Sequence, residues 1–81
     1  MAAITIQRFV LELEKLRKEV NAGTLQEHDY DGRLARVIRE LRDRGLDADR
    51  AVATAALADA VSRGVITLPV EAHIHNRLGL A

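Results

Sequence analysis

Between Thr5 and Ala22, bulky apolar residues return at alternating intervals of three and four: Ile6, Phe9, Leu13, Leu16 and Val20. That spacing draws one stripe along an α-helix and cannot alternate as a strand would, so the chain begins as an amphipathic helix with a coiled-coil-like seam. The helix must bury that seam. Two ways remain open at this level: packing against other helices of the same chain, or self-association into a homodimer through Ile6, Phe9, Leu13, Leu16 and Val20. Val10 widens the stripe, and Leu11, one heptad after Ile4, lies off it, so the helix is expected to meet neighbours on more than one side. Glu14 and Lys18 stand four apart in the favourable order, and Gly23 supplies the left-handed position that ends a helix.

The second apolar stripe comprises Leu34, Val37, Ile38 and Leu41, closed by Gly45, with Leu46 placed to touch Leu41 in a Schellman ending. Its start is ambiguous. Thr24 and Glu27 have capping-box spacing, whereas Gly32 weakens any helix that runs through it and leaves Asp31 as the other starting point. Asp47 reads as the N-cap of a third helix reaching about Arg63 and closed by Gly64. Seven alanines, at 48, 51, 53, 55, 56, 58 and 60, let other helices approach it closely, with Val52, Leu57 and Val61 expected to supply its inner bulk. Pro69 suits the first turn of a last short helix carrying Val70, His73, Ile74, Arg77 and Leu78 and stopped by Gly79. Val65 to Leu68 is the one stretch that reads equally as extended. The expectation is an all-α fold, a compact bundle of three to four short helices forming one domain over residues 1–81, whose last helix packs on its own chain or on a partner.

Length matters to that expectation. An 81-residue chain with no cysteine, and only Phe9 and Tyr30 as aromatic side chains, has one small core and no covalent staple. Twelve Lys and Arg offset twelve Asp and Glu, a balance that argues against binding nucleic acid or membrane by bulk electrostatics. No apolar run approaches the length of a membrane span, and the N-terminus lacks the pattern of a signal peptide, which makes the cytoplasm the expected location.

The run Gly23-Thr-Leu25-Gln-Glu27-His-Asp29-Tyr30-Asp31-Gly32-Arg33-Leu34, with Val37 and Ile38 after it, carries a further pattern. A leucine-rich helix ends at glycine, acidic residues precede an aromatic, and a basic residue follows three positions later. Over residues 13–38 this resembles the helical-hairpin modules called SHOCT domains, departing from them at Gln26 and Gly32. The resemblance implies oligomerisation or attachment to other proteins rather than chemistry.

Sites for chemistry are sparse. Glu27, Asp29 and Asp31 occupy the first ligand positions of a calcium loop with Gly32 at the sixth, but Ile38 stands where a bidentate Glu is required. His73 and His75 project about 200° apart on a helix and cannot chelate together. No nucleophile with a base, no carboxylate pair and no glycine-rich phosphate loop stands out, so no enzyme activity, no cofactor and no metal is expected. Ten arginines against two lysines favour contact with proteins. The reading is a non-enzymatic interaction module: an adaptor, regulator or small inhibitor, of the sort a phage or mobile element carries, binding a larger protein through a helical face. Arg33, Arg36, Arg39 and Arg42 are the candidate partner-binding residues. The competing expectation is a small DNA- or RNA-binding regulator that uses the Arg33 to Arg44 helix.

Overall fold

The computed structural model describes residues 3–80. The chain runs β1 (Ile4–Thr5), α1 (Ile6–Asn21), α2 (Glu27–Arg44), β2 (Leu46–Asp47), α3 (Arg50–Ser62) and α4 (Leu68–Leu78). It is a small all-α bundle of four helices with one minimal strand pair. That pair was not expected from sequence. Ile4 lies opposite Leu46 and Thr5 opposite Asp47 in parallel register, and the Ile4 N–H donates to the Gly45 carbonyl at 2.9 Å. Because β1 leads into α1 and β2 towards α3, the parallel ladder makes both helices start at the same end of the molecule.

Each strand therefore opens a unit of strand, helix, tight turn and helix. The two turns are built alike. Gly23 and Gly64 adopt φ of 79° and 76°. Around them the Thr24 N–H donates to Glu19 O and the Val65 N–H to Ala60 O, the six-to-one bond that satisfies the last carbonyls of α1 and α3. α1 packs on α2 and α3, while α4 packs on α2 and α3 from the far side. One apolar cluster joins all four helices, with Phe9, Leu13, Leu41, Leu57 and Ile74 its largest fully enclosed side chains.

The first-helix seam is closed by this chain's own helices. Ile6, Phe9, Leu13 and Leu16 are buried, and Val20 is half-buried against the same cluster. Of the two ways open at sequence level the fold adopts the intramolecular one, so these five residues present no free stripe to a second copy. The alanines of α3 make that closure possible: Ala53 and Ala60 are fully enclosed beside Leu57. Likewise α4 docks on its own chain through Ile74.

Several local expectations need correction. Thr24 does not cap α2; its hydroxyl donates to Glu19 O at the end of α1, and α2 begins after Gln26 with no side-chain cap. The helix then passes through Gly32 without a break. Gly45 has φ 87° and ψ 150°, which sends the chain into β2 instead of a Schellman turn. The N-cap of α3 is Asp49, which accepts from the Val52 N–H at 2.8 Å, because Asp47 is taken up by the strand pair. Val52 faces outward, not inward. Thr67 caps α4, and Val65 and Ile66 are buried in the turn without joining a strand.

Candidate interaction surfaces

Leu11 is 62% exposed and Val52 49%, the most prominent apolar side chains on the α1 and α3 surfaces. They stand on the two walls of one groove, of about 400 Å³, whose lining also includes Val10 and Ala56. The groove follows from the sequence of each helix. In α1 the buried positions are 6, 9, 10, 13 and 16, which leaves Leu11 on the flank. In α3 the enclosed positions are Ala53, Leu57 and Ala60, which turns Val52 away from the core and leaves Ala56 half-buried at the groove floor.

One end of the groove is electrostatically closed. Arg63 donates to Glu14 of α1 at 2.5 Å and to Asp59 of its own helix at 2.8 Å. Hydrogen bonds to Glu14 first, and then to Asp59, hold the Arg63 guanidinium above its ordinary pKa, so it stays charged wherever the protein is folded. Glu14 therefore pairs across helices, and not with Lys18 as its spacing suggested. A further cross-link is Arg17, whose Nε donates to Val65 O at 3.2 Å while its guanidinium sits 5.3 Å from the Tyr30 ring centre.

The four arginines singled out from sequence separate into different roles. Arg33 lies 3.6 Å from Glu19 and ties α2 to α1. Arg36 is exposed and lines none of the clefts described here. Arg39 and Arg42 are brought together, and with them come His73 and Arg77 of α4, around a cleft of about 230 Å³ floored by Ala35 and Ile38. Sequence reading missed the last two residues as partners because their proximity to α2 is a tertiary fact. His75, by contrast, is half-buried and points elsewhere, as the 200° separation requires.

Glu27, Asp29 and Asp31 lie in the first turns of α2, where negative charge faces the positive end of the helix dipole. Among the described residues no group of three His, Cys, Asp or Glu side chains could hold a metal ion. No helix of the described residues is long and apolar enough to cross a membrane. No family model matches the chain, and neither a curated protein nor a solved structure is similar to it.

Proposed function

We propose that this chain is a cytoplasmic, non-enzymatic interaction module, an adaptor, regulator or small inhibitor that binds a larger protein through the α1–α3 groove. The observation that carries the reading is the pairing of Leu11 and Val52 across that groove. Exposed apolar side chains scattered singly are ordinary on any surface, whereas two facing each other over a half-buried apolar floor offer area that a partner gains by covering. The occupant that fits is an amphipathic helix of the partner. On the α3 wall the small Ala56 stands beside Val52, so another helix backbone can come close, and its apolar stripe would meet Leu11, Val10 and Val52. Gln7 at the groove edge and the Glu14–Arg63–Asp59 network at one end supply a polar rim. The SHOCT-like pattern over residues 13–38 supports an attachment role as well.

The test is a paired purification from the native cell. Wild-type chain, Leu11→Asp and Val52→Asp are captured in parallel, the retained protein is identified, and the complex is rebuilt from purified components. The reading expects one stoichiometric partner held by wild type and lost by both variants while their helical circular dichroism is unchanged. A partner retained equally by all three places the contact elsewhere. Sedimentation as a dimer that Leu11→Asp makes monomeric gives the groove to a second copy of the chain.

A further inference from the structure

The α2–α4 cleft carries positive charge that the protein itself does not neutralise. Arg39 and Arg42 stand three apart on α2, and His73 and Arg77 four apart on α4, spacings that put each pair on one face of its helix. The packing of α4 on α2 then turns the two faces towards one depression. Among the described residues, none of Arg39, Arg42 and Arg77 has an ion pair, whereas Arg33, Arg44 and Arg63 are each held by at least one carboxylate. No carboxylate lines the cleft. Three guanidinium groups around one small concavity repel each other unless an anion joins them, and planar forks of this kind match the oxygens of a phosphate.

The cleft has an apolar neighbour. Arg42 and Arg77 also border a second depression, of about 540 Å³, whose walls include Leu46, Ala48, Leu78 and Leu80. These four side chains are half-buried, so part of their apolar area is free to meet a ligand. The two arginines thus form a shared wall, with further cationic groups on one side and aliphatic groups on the other.

We propose that this paired cleft binds a small organic phosphate, with the phosphate between Arg39, Arg42 and Arg77 and the organic body against Leu46, Leu78 and Leu80. His73 adds an imidazole nitrogen to the phosphate side. A nucleic-acid backbone fits less well. Its phosphates form a continuous row, whereas the arginines of α2 wind around the helix: Arg33 is committed to Glu19, Arg36 lies outside the cleft, and Glu40 and Asp43 are exposed on the same helix. The charge is local, as one phosphate group requires, and the whole chain is neutral. This proposal does not rest on the α1–α3 groove.

Phenyl phosphate, inorganic phosphate and a short DNA duplex are the probes, followed by amide chemical shifts of the full chain. The expected result is a set of shifts confined to residues 35–48 and 73–80, with phenyl phosphate bound about tenfold more tightly than inorganic phosphate because its ring covers apolar area. Arg39→Ala and Arg77→Ala should each weaken both phosphates about tenfold, Leu80→Ser should weaken phenyl phosphate alone, and Arg36→Ala should change neither. Absence of localised shifts up to roughly 10 mM ligand overturns the proposal. So does an equal loss with Arg36→Ala, which would reveal diffuse electrostatics, or a duplex that binds more tightly than phenyl phosphate and depends on Arg36. Circular dichroism of each variant confirms that the substitutions leave the helices in place.

Discussion

The α1–α3 groove and the α2–α4 cleft are each made by two helices from different halves of the chain, yet they treat arginine in opposite ways. At the groove, Arg63 is held by carboxylates from both walls, and what remains exposed between the helices is aliphatic. At the cleft, Arg39, Arg42 and Arg77 face the opening with no carboxylate among them. The difference teaches where charge is structural and where it is spare. Arg63 closes a helix pair, so its removal should loosen the protein. The cleft arginines hold nothing together, so their removal should change what binds without weakening the fold.

The largest expected contrast comes from placing the same carboxylate at an enclosed and at an exposed position of α1. Leu13→Asp places a carboxylate where the side chain is fully enclosed and should cost about 3–5 kcal/mol, a large part of the stability of a chain this small. Leu11→Asp, two residues earlier on the exposed flank, should stay within about 0.5 kcal/mol of wild type. Urea unfolding followed by circular dichroism reads both. Equal destabilisation would mean that the groove is core and not surface.

Next in size is the α1–α3 approach itself. Ala53→Leu adds bulk at a position with no exposed surface and should cost about 1–3 kcal/mol in thermal or urea unfolding. Ala55→Leu, on the exposed side of the same helix and outside the groove, should cost little. A stable Ala53→Leu would show that the helices can separate without penalty.

The glycines give a smaller and signed effect. Gly64→Ala forces a left-handed φ of 76° on a residue with a Cβ and should lower stability by about 1 kcal/mol. Gly32→Ala lies in the middle of α2, where a Cβ meets nothing within 4 Å, and should raise stability by about 0.5–1 kcal/mol. Differential scanning calorimetry distinguishes a rise from a fall in Tm.

Smallest of all is the electrostatic contrast. Arg63→Ala should lower Tm slightly at low salt, and the difference should shrink as salt screens the pairs with Glu14 and Asp59. Arg39→Ala should leave Tm unchanged or raise it slightly at low salt, because it relieves repulsion. The sign for Arg63 is fixed by its raised pKa: a cation held by Glu14 and Asp59 in the folded state stabilises below its unfolded value for as long as those carboxylates are ionised, so the contribution is constant through the neutral range.

Much of the fold is visible in residue spacing alone. The seam of α1 follows from its three-and-four rhythm, and glycine positions mark the ends of all four helices, because each of Gly23, Gly45, Gly64 and Gly79 takes a positive φ that favours glycine where the chain leaves the helix. Caps were less legible. Thr24 and Asp47 have the right chemistry for an N-cap, but the turn after Gly23 and the strand pair at residues 46–47 use them otherwise, and these are decided by tertiary contacts. The inner face of α3 was hidden because alanine occurs all round it, so periodicity carries no direction there; only packing against α1 shows that Ala53 points in and Val52 out. The candidate surfaces divide in the same way. Leu11 stood off the seam in the sequence itself, whereas the meeting of Arg39 and Arg42 with Arg77 joins residues more than thirty positions apart and leaves no local trace.

Site-specific photocrosslinking in the native cell, with the reactive side chain placed at position 52 in one protein and at position 36 in another, tests whether the α1–α3 groove holds a partner. Val52 is on the groove wall and Arg36 is exposed on α2 outside both surfaces. Position 52 should yield one discrete adduct of a larger protein and position 36 none. A discrete adduct from position 36 with none from position 52, or an adduct from position 52 with twice the mass of the chain alone, would contradict that expectation.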